Sequence, residues 1–235
     1  MKKITLLLSL FVGFLLNASG QTLLEPSFRF SGQKPIYVTM EDGTEMQGTL
    51  KKLKRKKGLI RLVIIKDAKG EKHELQPEDI KFMYLFPSGV DGLARAVVLV
   101  HDATKWGNTY VKPGLIAEGY VYFEKSKVKV NKKERTLLMQ VLNPSFGGDI
   151  RVYHDPFASE TASLGVAGIK VAGGIAKSYY IRKGNEVAIR VKKKNYKKKV
   201  FVSLFGDCKK MAKKFPKVKW SDLADHVDTY GKCKE

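Results

Sequence analysis

The stretch Ile36–Leu85 limits the possible folds of this chain more than any other. Ile36-Tyr37-Val38-Thr39-Met40 alternates, turns on Asp42-Gly43, and alternates again through Met46, Gly48 and Leu50. Asp-Gly between two alternating runs signals a tight hairpin, because both residues tolerate the positive φ of a type I′ turn. A basic loop, Lys51–Lys57, leads into Leu59–Lys66, which is apolar on both faces. Asp67–Gly70 turns the chain into Glu71–Leu75, Gln76-Pro77-Glu78-Asp79 makes a corner, and Ile80–Leu85 closes the set. Five short strands with a corner before the last predict a small, self-enclosed β unit.

The N-terminus reads as an address. Lys2-Lys3, the apolar run Ile4–Leu16 and the small residues Ala18-Ser19-Gly20 form the pattern of a secretory signal peptide cut before Gln21. The alternative, an uncleaved anchor, needs an apolar run of about 20 residues, and this one is shorter. No Cys follows the cut to carry a lipid, and no later stretch is long and apolar enough to span a bilayer. The expectation is an exported, soluble protein, periplasmic or extracellular. Losing Lys2 and Lys3 lowers the net charge by two, from +21 to +19. Such an excess suits an anionic partner: envelope lipid head groups, polysaccharide, nucleic acid or an acidic protein surface. A solvated basic surface that serves solubility alone is the other reading.

The pattern divides the chain into a signal peptide (1–20), a small β-barrel unit (21–88), a helical linker (89–118), a second antiparallel β unit (119–194) and a helical C-terminal segment (195–235). Ser88 caps a predicted helix through about Ala103, although Val97, Val98 and Val100 also suit a strand. From Gly119 the period returns to two. Tyr120–Val130, Arg135–Leu142, Ile150–His154, a strand around Ile169–Val171, Lys177–Arg182 and Glu186–Lys192 predict a second sheet of five or six strands. Val187, Ile189 and Val191 form the predicted inner face of its last hairpin. Tyr196–Leu204, Lys209–Lys214 and Asp222–Tyr230 read as short helices, the last with Ser221 as N-cap and Trp220, Leu223, Val227 and Tyr230 as its apolar stripe. Cys208 and Cys233, the chain's two cysteines, bracket this segment, and in an oxidising compartment such a pair bridges.

Charge is most concentrated in Lys51, Lys52, Lys54, Arg55, Lys56 and Lys57, with a second run around Lys192, Lys193, Lys194 and the embedded Tyr196. Basic residues interleaved with an aromatic ring follow a phosphate backbone and stack a base. A lysine-rich tip also keeps a sheet edge from pairing with another chain. The four histidines have no second ligand at metal spacing, so no metal site is expected. His154 and Asp155 adjoin in a turn and are the catalytic candidates of an alternative reading as a hydrolase of unrecognised type. Neighbours on a strand, however, point to opposite faces. The glycines of Gly165–Gly174 lack phosphate-loop spacing, and there is no Gly-x-Ser-x-Gly, His-Glu-x-x-His or Cys-x-x-Cys motif. No cofactor is expected.

The hairpin Val38-Thr39-Met40-Glu41-Asp42-Gly43, Gly48 and the strand Ile80–Leu85 resemble SH3-like and Sm-like small barrels over about 50 residues. The resemblance implies that barrel fold. Sm-like RNA binding would need an acidic and amide pair after the second strand and Arg-Gly or Lys-Gly after the fourth. This chain has lysines and Phe86-Pro87 instead, which argues against specific nucleic-acid binding by that route. Leu85-Phe86-Pro87-Ser88-Gly89, Arg135-Thr136-Leu137-Leu138-Met139-Gln140, Tyr153-His154-Asp155-Pro156-Phe157, Leu204-Phe205-Gly206-Asp207-Cys208 and Trp220-Ser221-Asp222 make the chain similar to secreted proteins of Bacteroidetes-type Gram-negative bacteria. That resemblance implies export and a shared fold, with no activity attached. The expectation is a mainly β protein: a small SH3-like barrel, a linking helix, a second antiparallel sheet and short C-terminal helices. Its function would be that of an exported, non-enzymatic binding or structural module of the envelope, meeting an anionic ligand through a basic face.

Overall fold

The Asp42-Gly43 hairpin forms as the alternation predicts, joining β1 (Pro35–Met40) to β2 (Glu45–Lys56) with Val38 opposite Met46. Its turn differs from the expected type. Only Gly43 takes positive φ, and Gly43 N–H donates to the Met40 carbonyl, so this is a three-residue loop with a left-handed glycine. The type I′ geometry appears one hairpin later, where Lys57 (φ 53°) and Gly58 (φ 78°) join β2 to β3 (Leu59–Lys66). The computed structural model describes residues 21–89, 111–158, 164–166, 169–172 and 176–233, with backbone alone for 164–166 and 169–172. The expected signal peptide, and the expected helix beyond Gly89, lie outside the described residues.

The protein is mainly β. Adding β4 (Lys72–Leu75) and β5 (Ile80–Leu85) gives the order β4-β3-β2-β1-β5, all antiparallel. The predicted loop Lys51–Lys57 is strand up to Lys56: the apolar strand β3 supplies a ladder partner for each residue from Lys52 to Lys56, with Lys52 opposite Ile64, Lys54 opposite Leu62 and Lys56 opposite Leu59. A short helix α1 (Pro113–Ala117), started by proline at its first turn, precedes β6 (Val121–Val130) and β7 (Lys133–Gln140). These two strands do not open a second sheet. β6 pairs with β5, Phe123 opposite Met83, making the first sheet seven-stranded. The sheet curls until β3 packs against β7, enclosing Ile36, Val38, Val63, Ile65, Ile80, Met83 and Phe123.

The second sheet is smaller, ordered β12-β11-β8 from β8 (Ile150–His154), β11 (Ser178–Lys183) and β12 (Ile189–Lys192). Two short strands, β9 (Leu164–Val166) and β10 (Ile169–Ala172), pair with each other where one was expected. One face of the second sheet, through Tyr153 and Tyr180, packs on Tyr122, Val128 and Met139 of the first. Its other face carries the helices: α2 (Lys193–Asn195), continuous through a π turn (Tyr196–Val200) with α3 (Phe201–Phe205), then α4 (Lys209–Lys214) and α5 (Leu223–Gly231). Cys208 and Cys233 are disulfide-bonded across this segment. The stripe Trp220, Leu223, Val227 and Tyr230 is buried as expected. Ser221 is not an N-cap; it sits inside a 3₁₀ turn (Trp220–Asp222) and donates to the Asp222 carboxylate. No helix among the described residues is long and apolar enough to cross a membrane.

Candidate functional site

Two hairpin tips and the strand pair β11–β12 meet where the two sheets come together. The β2–β3 tip brings Lys56, Lys57 and, just inside β3, Arg61. The β6–β7 tip brings Lys129, Asn131 and Arg135, and β11–β12 brings Tyr180, Ile189, Arg190 and Lys192. Backbone bonds fix the arrangement: Lys129 N–H donates to the Ala188 carbonyl and Ala188 N–H to the Lys127 carbonyl, both at 2.8 Å. Gly58 lets the first tip lie against Pro156, since a Cβ there would fall 2.6 Å from the proline Cβ and its φ of +78° already disfavours any other residue. Between the tips runs an open groove of about 1230 Å³.

The lining is one-signed. Lys56, Lys57, Arg61, Lys129, Arg135, Arg190 and Lys192 face the groove, and among the described residues no carboxylate does. Arg190 is already engaged: its Nε donates to Asp155 Oδ2 and its Nη2 to the Phe157 carbonyl at 2.9 Å. It thereby holds Phe157, 40% exposed, at the groove edge. The other six cations are exposed, and none forms an ion pair with a described residue. Six like charges around one trough raise the local positive potential well beyond that of scattered lysines, because the low-dielectric walls focus the field. The buried wall of the trough includes Tyr180, whose hydroxyl is pushed above the ordinary tyrosine range by burial and by the Asp155 carboxylate.

The sequence-derived candidates divide sharply. Lys56, Lys57 and Lys192 line the groove together, so the ends of the two basic runs do converge. Lys51, Lys52 and Lys54 are exposed on β2 outside its lining, and Lys193 and Lys194 open α2 beyond it. Arg55 donates to the Phe28 carbonyl at 2.8 Å and lies over the Phe30 ring, tying the N-terminal segment to the barrel. Tyr196 must be withdrawn as a stacking residue: it is 1% exposed, with its hydroxyl 2.7 Å from His226 Nδ1. Helical periodicity turns it into the core while Lys197–Lys199 stay out. Ile189, expected on the inner face, is 40% exposed, and Ala188 takes the buried position.

His154 and Asp155 do not act as a pair. Asp155 is fully buried and its oxygens are occupied by Ser178 Oγ at 2.6 Å, Arg190 Nε and the Phe157 N–H. His154 faces another way, edge-on to Phe28, in a pocket of about 290 Å³ with Leu23, Tyr179 and Trp220. A role missed for His73 also appears: its Nε2 lies 2.9 Å from Asp67, and with Glu71 these groups offer ligand atoms within 4.8 Å of one another. The other Asp67 oxygen accepts the Lys69 and Glu71 N–H groups, so the cluster is the fastening of the β3–β4 turn.

Comparison of the chain with protein-family models, curated proteins and solved structures finds no match.

Proposed function

We propose that this protein is an exported binding module of the cell envelope that holds an anionic polymer, in the first place an acidic polysaccharide, in the groove between its hairpin tips. The observation that supports the reading is a trough lined, among the described residues, by seven cations and no carboxylate. Its open shape, set between hairpins, admits a chain rather than enclosing a small molecule. The ring of Phe157 at the edge offers a flat apolar surface for a sugar face.

The test is binding of acidic polysaccharides, peptidoglycan and DNA at low and physiological salt. Replacing Arg61, Lys129 and Arg135 with glutamine should weaken acidic-polysaccharide binding at least tenfold and flatten its salt dependence. The same change at Lys51, Lys52 and Lys54, outside the groove, should cost less than threefold, a difference expected of distant surface charge. Equal losses in the two variants would sink the groove as a site. Indiscriminate binding that vanishes at physiological salt would leave only a solubilising surface.

Export carries its own expected outcome. Gln21 N lies 3.1 Å from Asp225 Oδ1, at the first turn of α5. A cut before Gln21 therefore sets the new α-ammonium against a carboxylate. The secreted protein should begin at Gln21 by intact mass. Asp225→Asn should lower its stability by about 0.5–1 kcal/mol, the scale of a single partly exposed ion pair. A different first residue would overturn this placement.

A further inference from the structure

The outer face of the helical layer is a second concentration of positive charge, separate from the groove. Residues 193–219 hold eleven lysines, all exposed, and one carboxylate, Asp207. Asp207 is engaged: Lys183 Nζ lies 3.1 Å away and Tyr230 Oη donates to it at 2.7 Å. The aspartates of α5 and of the turn before it are half-buried, and each has a partner. Asp222 accepts from Ser221 Oγ, Asp225 from Gln21 N and Asp228 from Lys232 Nζ.

The π turn between α2 and α3 sorts these side chains. Phe201 N–H donates to the Tyr196 carbonyl, five residues back, so one wide turn separates the two rings and both enter the core. In a regular α-helix residues five apart diverge in direction, since a turn takes 3.6 residues. The wide turn leaves Lys197, Lys198 and Lys199 together on the outer arc, joined by Lys193 and Lys194 a turn earlier. Val202 follows Lys198 by four and is 65% exposed, more than any other large apolar side chain among the described residues. None of the five lysines forms an ion pair with a described residue. Single π turns inside helices are rare and occur frequently at functional sites.

We infer that this face docks the protein on an anionic phospholipid bilayer, with α2, the π turn and α3 against the head groups. All its cations are lysines. Lysine is a hydrated point charge on a flexible stem, without the planar fork by which arginine grips one oxyanion. That suits a fluid plane of diffuse charge, where each lysine at the surface strengthens partitioning about fivefold. Lysine stems lie along apolar surface while their ammonium groups stay at the head groups, and Val202 enters between them. A nucleic acid would find no ring to stack on here, because Tyr196 is buried. The second sheet lies between these helices and the first sheet, so docking keeps Arg61, Lys129 and Arg135 of the groove off the bilayer. Docking is independent of what the groove holds.

The test is co-sedimentation of the exported protein with phosphatidylcholine vesicles, with and without phosphatidylglycerol, at low and physiological salt. Binding is expected only with phosphatidylglycerol and should weaken as salt rises. Changing Lys194, Lys197 and Lys198 together to glutamine should weaken partitioning at least tenfold, at exposed positions where substitution leaves the fold intact. Val202→Asp alone should weaken it at least threefold. The groove variant, with Arg61, Lys129 and Arg135 changed to glutamine, should partition within threefold of the parent. Equal binding to both vesicles, a lysine variant that partitions like the parent, or a larger loss from the groove variant would overturn the docking face. A lysine variant that loses DNA binding but keeps its hold on vesicles would overturn it too, and pass the face to a polyanion.

Discussion

Replacing Cys208 and Cys233 with serine should lower the stability of the folded protein by about 3 kcal/mol, the chain-entropy value for a loop of this length. The bridge joins residues 25 apart, so its removal frees a short, otherwise closed loop in the unfolded chain. For a domain of this size that loss corresponds to a melting point lower by roughly 6–12 °C. The effect should be local in the first instance. Cys208 is 6% exposed among Phe205, Met211 and Tyr230, and α4 and α5 lie between the two sulfurs. Hydrogen exchange should therefore rise in α4 and α5 before it rises in β1–β5, which close on a separate core. A serine variant that melts with the oxidised parent would show that helix packing alone holds the segment. The same result would remove the link between this fold and an oxidising compartment.

How far the fold could be read from sequence depended on the range of the interaction. β1 to β5 were legible because alternation, Asp42-Gly43 and the Gln76–Asp79 corner are local signals. The sheet to which β6 and β7 belong was not. Alternation in Val121–Val130 tells which side chains share a face, whereas the choice of neighbour rests on Phe123 meeting Met83, 40 residues earlier. The groove followed the same rule. Lysine runs were visible, but Arg61, Lys129 and Arg135 are single cations in three separate strands or tips, gathered only by topology. Tyr196 failed because its lysine neighbours masked the one helical position turned inward. One available signal went unused. Arg151 interrupts the apolar run Ile150–Tyr153, and a charge at such a position is expected to be buried with a partner.

Acid should destabilise the helical layer through His226. Its ring is fully buried, ringed by Tyr196, Phe201, Phe205 and Phe215, and burial pushes the imidazole down from 6.5 to about 4, with Asp222 opposing weakly. The Tyr196 hydroxyl, bonded to Nδ1, is itself raised by burial and stays protonated. The folded state therefore holds the neutral ring, whereas the unfolded chain takes up a proton below about 6.5. The stabilisation is present in full above that pH, falls as the pH drops toward about 4, and levels off below it, once both states are protonated. Full burial leaves little solvent to screen the effect, so its size follows the linkage value, on the order of 3 kcal/mol. Urea unfolding at pH 7.0, 5.5 and 4.5 measures it. Carboxylates titrate in the same window, so the comparison is with His226→Phe, which removes the proton site and keeps an aromatic ring in the cage. The variant should start less stable at pH 7, with the Tyr196 hydroxyl left unbonded, yet lose less on acidification. Parallel losses in the two proteins would assign the acid sensitivity to the carboxylates and clear His226 of it.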